Sequence, residues 1–336
     1  MSAILKKPLK KPVSPVELLA RRRRLHTLEC LPWIAAIAAY FLFPTYLPLG
    51  SQILIMVLFA LSLDLILGYA GIITLGHAAF FGVGAYAAGI VAAQGWHEPI
   101  TGLVIAAAAA ALVGLGSGLI ILRTHGLTLL MLTLAVMFML HEAANKASFI
   151  TGGADGLQGM AIDPIFGLFR FDMWGRTAYL YALAVLFLAW IVVRALVHSP
   201  FGRSLIGIRE NGTRMPAIGT PVRRRLVIAY TIAAALSGIA GGLLAQTTQF
   251  VALNVISFEL SGAVLIMLIF GGVGRLYGAF VGAPIYMIAQ DQLAKSDPVY
   301  WFFWIGLLLV LVVMFARGGI LGLVDEAVRA LRRRGK

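Results

Sequence analysis

Two ionisable residues, Asp64 and His77, stand in a stretch that is otherwise apolar or bare glycine, LSLDLILGYAGIITLGHAAFFGVGAYAAG (61–89). Ionisable side chains inside long apolar segments are costly, and they tend to face a bundle interior or a water-filled cavity. There they hold a solute, serve a gate, or satisfy backbone groups that a broken helix leaves open. Asp64 can snorkel, or pair with His77 or with a tyrosine such as Tyr69. His77 can bond a carbonyl exposed where glycine interrupts the helix. Gly71, Thr74, Gly76 and Gly82, with Asp64 and His77, make up the candidate translocation path or gate. Glu142 and Glu259 fall near segment ends and read as interfacial.

Other chemistry finds little support in the residue pattern. There is no G-x-x-x-x-G-K-[ST] for the P-loop route to ATP, no H-E-x-x-H and no G-x-S-x-G. The lone cysteine, Cys30, has no partner for a disulfide and no neighbouring ligand set, so no metal site is expected. The apolar segments carry no ladder of acidic residues of the kind ion-coupled carriers often need.

The chain of 336 residues is 60% hydrophobic and only 12% charged, and its mean hydropathy is +0.92. A soluble domain has roughly 25% charged residues; half that supply cannot cover a water-facing surface. The expectation is an all-α, polytopic membrane protein. Its net charge of +13 sits in terminal blocks, Lys6 to Arg24 and Arg329 to Lys336, with no interleaved aromatics. That placement suits anionic headgroups rather than nucleic acid. The first apolar run follows a basic region but lacks a clear cleavage site, so it reads as a retained span.

A span needs roughly 20 apolar residues, and ten segments meet or approach that length: 31–49, 51–69, 72–94, 98–122, 127–144, 177–197, 226–248, 258–274, 276–292 and 299–317. Eight or nine spans remain alternatives, because the two around GGVGR (271–275) are short. With both termini cytoplasmic, all of the 27 Lys and Arg except Lys146, Arg170, Arg176 and Lys295 fall inside, as the positive-inside rule requires. Glu98, Asp155, Asp163, Asp172, Asp291 and Asp297 fall outside. The domain reading is a basic tail (1–30), a membrane domain (31–317) with an inner loop (198–225), and a second basic tail (318–336). No internal repeat stands out.

Small residues recur every fourth position as Thr74, Ala78, Gly82, as Gly102, Ala106, Ala110, Gly114, Gly118, as Ala234, Gly238, Gly242, and as Gly274, Gly278, Gly282. In lipid such faces let backbones approach closely; they also leave room for a solute path. Close packing is the plainer reading for Gly114, Gly118, Gly238, Gly242, Gly274, Gly278 and Gly282. The inner loop, HSPFGRSLIGIRENGTRMPAIGTPVRRR, offers a short amphipathic helix around 203–210 and a second short segment at 213–219. That arrangement suits a docking element, or a surface helix held to headgroups by arginines.

Three blocks resemble the permease subunits of branched-chain amino acid ABC importers. They are 61–89, GRSLIGIRENGTRMPAIG (202–219) running into RRLVIAYTIAAALSGIAGGLLA (224–245), and SFELSGAVLIMLIFGGVGRLYGAFVGA (257–283). In order and spacing they cover most of 50–317. The resemblance implies a multi-pass protein of a bacterial-type inner membrane that forms a path with a second related permease. Two ATPase subunits, which use ATP and Mg, would bind beneath it, and an external binding protein would deliver the solute. It also implies that the inner loop is a coupling loop, in which Glu210, Ala217 and Gly219 fit the family's Glu-x-x-x-x-x-x-Ala-x-Gly pattern and Gly202, Arg203, Arg209 and Arg214 flank them. Pro216 departs from the helix-forming residues that relatives usually have there, which leaves the loop's helical extent open. The chain itself is expected to hold no cofactor and to catalyse no reaction. Rival readings are the same importer class serving urea, short amides or aromatic acids, and a secondary transporter or channel. An intramembrane enzyme using His77, Asp64, His141 or Glu142 is the weakest, because the span pattern sets His77 and His141 near opposite faces.

Overall fold

The computed structural model describes residues 30–165, 167, 169–170, 172, 174–315 and 318–323. The basic tail before Cys30 and the stretch after Leu323 lie outside the described residues. The chain divides into two units, Met1–Ala38 and Ala39–Lys336; the packing considered below lies within the second.

Among the described residues a single helical turn, Ser148–Thr151, follows the fifth apolar segment, each of the ten segments contains one helix of twelve residues or more, and another such helix lies in the inner loop. They are α1 (Leu31–Leu42), α2 (Leu47–Asp64), α3 (Ala78–Ala93), α4 (Pro99–Ile121), α5 (Leu127–Lys146), α6 (Arg176–His198), α7 (Pro200–Asn211), α8 (Val222–Thr248), α9 (Phe258–Gly271), α10 (Gly278–Ser296) and α11 (Trp301–Phe315). Among the described residues there is no strand, only isolated bridges at Leu157–Val251 and Ile165–Phe169. The second segment, from Pro44 through Tyr69, α4, α5, α6 and α8 are each long and apolar enough to cross a membrane; α1, α3, α9 and the Trp301–Val312 part of α11 are shorter.

Several boundaries depart from the apolar runs, each for a local reason. The first run does not continue to residue 49. Phe43 leaves the helical region (φ −126°, ψ 60°) before Pro44, whose ring disfavours α conformation in the residue ahead of it. One 3₁₀ turn later α2 begins, with Pro at its start. Nor is 72–94 one helix. α2 ends in a π-helical turn, Leu65–Tyr69; residues 70–77 are irregular; α3 starts only at Ala78. A second break separates α9 from α10 at 272–277. Thr74 and Gly274 therefore sit in the breaks and not on helix faces, so two of the fourfold stripes are shorter than the sequence pattern suggests.

α2 and α8 are the central helices: 78% of the best apolar window of the Pro44–Tyr69 segment and 67% of that of α8 are buried, against 11% for α5. α8 packs on both α3 and α4, which also pack on each other, and small residues set the separation. A Cβ on Gly238 would sit 2.6 Å from the Ala106 carbonyl and collide with Ala110; one on Gly242 would lie 2.9 Å from the Ala106 methyl. Gly114 faces Ala234, Gly118 faces the Tyr230 ring, and Gly84 and Gly241 close the other side against Gly238 and Phe81. α9 and α10 form a hairpin in which Gly278 and Gly282 rest on Gly271, Gly272 and Met267. Gly319, in the short stretch 318–323, folds back onto Gly271 and Gly272, so the first residues of the expected C-terminal tail pack on the membrane domain.

Candidate functional site

The two breaks meet. A Cβ on Gly68, at the end of α2, would lie 2.6 Å from the Gly274 amide nitrogen and 2.7 Å from its Cα. Asp64, only 1% exposed, reaches across: its Oδ1 accepts from Gly274 N–H at 2.7 Å, while Oδ2 has no hydrogen-bond partner. Gly274 has φ +76°, a left-handed conformation that suits glycine, and this aims its amide into the membrane domain. Tyr69, beside the break, is hydrogen-bonded to the backbone of Leu276. Asp64 thus holds the α9–α10 turn, where the sequence leaves it to snorkel or to pair with His77 or a tyrosine such as Tyr69.

His77 is fully buried and immediately precedes α3. Ser62 Oγ gives its single proton to the Phe59 carbonyl at 2.6 Å. Ser62 Oγ lies 2.8 Å from His77 Nε2, and in the tautomer that leaves the serine proton on the Phe59 carbonyl the imidazole N–H is the donor. The ring stacks on Phe59 (centroids 5.4 Å, planes 6° apart) with Phe80 edge-on, and Nδ1 has no hydrogen-bond partner. In this conformation His77 braces α3 against α2 and does not bond Asp64. The irregular segment is tied from two more helices. Leu75 N–H donates to Thr133 Oγ1 of α5, and Ala78 N–H donates to Ser261 Oγ of α9 at 3.1 Å. Thr74 Oγ1 accepts from Gly76 N–H, and Gly76 lies against the Thr133 backbone so closely that no side chain fits. Gly82, a turn into α3, faces the Ile256 side chain.

The inner loop builds a second cluster. Ser199 caps α7, its Oγ accepting from Gly202 N–H at 3.3 Å while donating to the Leu196 carbonyl. A Cβ on Gly202 would press on the Leu196 and Val197 carbonyls, so glycine lets the chain reverse tightly from α6 into α7. Gly202, Leu205 and Ile208 form the buried face; Arg203, Glu210 and Arg214 are exposed. The second helical segment expected at 213–219 is one 3₁₀ turn, Pro216–Ile218, because proline can only open such a turn. Gly219 ends it at φ +81° with open space where a side chain would stand, and Ala217 and Ile218 are exposed beside it. Arg209 is also exposed, but it reaches back to the membrane domain: Nη1 donates to the Gly68 carbonyl, and its stem crosses Gly71.

Residues 46–323 match the family described as "Branched-chain amino acid transport system / permease component". The chain belongs to that family. It is 27% identical over 294 residues to the high-affinity branched-chain amino acid transport system permease protein LivM of Escherichia coli K12, covering 81% of this chain and 69% of that one. It is 27% identical over 230 residues to the L-arabinose ABC transporter permease protein AraH of Azospirillum brasilense, covering 65% and 64%. The autoinducer 2 import system permease protein LsrC of an Enterobacter species is 25% identical over 263 residues, covering 75% of this chain and 72% of that one. No solved structure matches. The chain is thus a multi-pass inner-membrane permease of the ABC importer class.

Sequence reading of the permease singled out Asp64, Gly71, His77, Arg209 and Gly274, but not Gly68, which accepts from Arg209, nor the hydroxyls that tie His77, Leu75 and Ala78 to neighbouring helices. Ser62, Thr133 and Ser261 are single small hydroxyls in apolar helices, a weak signal alone, and their partners lie 15, 58 and 183 positions away. Gln246 was missed as well. It is 2% exposed, donates to the Pro99 carbonyl at 2.7 Å and accepts from Tyr181 at 2.9 Å, which ties α8 to the start of α4 and to α6.

Proposed function

We propose that this permease imports branched-chain amino acids. It would form the path with a second, homologous permease, receive solute from an external binding protein, and be driven by two ATPase subunits docked on α7 and its following turn. ATP and Mg would be used by those subunits, and both termini would lie in the cytoplasm. The observation that carries the reading is the likeness to LivM over 81% of the chain. The loop supports it: an amphipathic helix buries Leu205 and Ile208 while Glu210, Arg214, Ala217, Ile218 and Gly219 stay uncovered, as a docking surface would. The likeness to an arabinose permease and an autoinducer 2 permease favours one second reading, the same machine carrying another small solute.

The test is purification of the tagged chain from its native membranes in mild detergent, followed by reconstitution. Co-purification of a P-loop ATPase and a second permease, with ATP-dependent uptake of labelled leucine once the binding protein is added, is the expected result. Uptake of L-arabinose instead of leucine would transfer the assignment to the second reading. A chain that purifies alone and still moves solute would make it a secondary transporter or channel.

A further inference from the structure

We propose that Arg209 is the positioning residue through which the inner helix α7 moves the two broken membrane segments. This rests on the importer reading above and adds the route by which docking reaches the membrane domain. Arg209 is exposed and stands next to Glu210 on α7, yet its guanidinium reaches the edge of a seam made of three glycines. Nη1 donates to the Gly68 carbonyl at the end of α2. A Cβ on Gly71 would lie 2.6 Å from Arg209 Cγ, and one on Gly274 would lie 3.0 Å from Nη1. Both glycines have left-handed φ, +74° and +76°, so the seam is shaped in backbone and any side chain would shut the arginine out.

The same seam contains the bond that joins the second break to the end of α2, Gly274 N–H to Asp64 Oδ1 at 2.7 Å. Displacing α7 therefore pulls on the carbonyl end of α2, and Asp64 carries the pull to the α9–α10 turn. Lysine is a poor substitute, because its single ammonium lacks the planar fork that arginine offers.

The experiment uses the whole transporter, with Cys30→Ser removing the native thiol and Val273→Cys reporting on the second break, where Val273 is 41% exposed. The measured quantity is the rate of labelling by a membrane-impermeant maleimide, with and without ATP. In the otherwise native complex that rate should change about fivefold or more. With Arg209→Gln it should become independent of ATP, although the ATPase subunits still co-purify and still hydrolyse ATP. Arg209→Lys should fall between the two, and it decides the matter if Arg209→Gln fails to accumulate.

An ATP response in Arg209→Gln equal to the parent's would overturn the proposal. So would loss of the ATPase subunits from that variant, which would make Arg209 a docking contact only, and so would a parent in which labelling ignores ATP. If the parent complex contains no ATPase at all, the importer reading itself falls and takes this proposal with it.

Discussion

At the scale of single residues, the chemistry is mostly that of restraint. His77 drew attention as an imidazole in an apolar run, and its surroundings give it a structural task in this conformation: one bond to Ser62, a stack on Phe59, and no route to solvent. Removing only one member of such a pair leaves a buried donor without an acceptor. Ser62→Ala should therefore destabilise the purified protein by about 1–3 kcal/mol, whereas Ser62→Ala with His77→Phe should recover most of that loss. Thermal unfolding in detergent measures both, and a double variant no better than the single would mean that His77 has a further partner in the working state. The identity of the partners could not be read from the chain. Ionisable groups announce themselves, but a serine in an apolar helix does not, and hydrogen bonds between residues far apart in sequence depend on how the helices dock.

At the scale of elements, glycine acts in two ways that the fourfold pattern does not separate. On α4 and α8 it sets a distance, and Gly238→Leu should force the pair apart at a cost of about 1–3 kcal/mol or more. Gly116 lies on the same helix as Gly114 but faces open space. Gly116→Ala should be neutral or stabilising by up to about 1 kcal/mol, since alanine is the better helix former. Expression level and melting temperature compare the two, and an equal loss in both would count against the meshed face. In the breaks and after α7, by contrast, glycine sets a backbone direction. Gly219 meets nothing, yet its φ of +81° makes it the residue that turns the chain from the docking face to α8. Gly219→Leu and Glu210→Lys should leave the permease in the membrane with its ATPase partners hydrolysing ATP while uptake falls at least about tenfold, the scale of a 1.4 kcal/mol loss in coupling. Undiminished uptake in both would remove α7 from the coupling role. The helices themselves were legible because an apolar run of span length has few alternatives in lipid. The breaks were legible only as clusters of glycine, and their contact with each other, between Asp64 and a residue 210 positions on, was not.

At the scale of the molecule, the distribution of charge makes a statement that can be checked directly. If the positive-inside reading holds, a thiol placed at Arg214 should react with an impermeant reagent only from the cytoplasmic side, and one placed at Asp163 only from outside, each in a Cys30→Ser background. Labelling of right-side-out and inverted vesicles separates the two, and a reversed pattern would invert the whole topology and carry α7 away from any ATPase. The same division of sides places the Asp64–Gly274 junction next to α7 and the Tyr181–Gln246–Pro99 cluster at the opposite end of α8. α8 is tied by side-chain bonds at both ends, from Arg223 to the Leu119 carbonyl at its start and through Gln246 to the Pro99 carbonyl and Tyr181 near its finish.

The meshing of α8 with α3 and α4 has a thermal consequence. Glycine and alanine have no side-chain rotamers to surrender on packing, whereas each leucine immobilised in a contact gives up about 0.5–1 kcal/mol of conformational entropy at room temperature. A contact built from Gly84, Ala106, Ala110, Gly114, Ala234, Gly238, Gly241 and Gly242 thus forms with almost no such loss. Because that opposing entropy grows in weight with temperature, the heart of this permease should be the last part of it to loosen on heating, after the rotamer-rich helices at its rim.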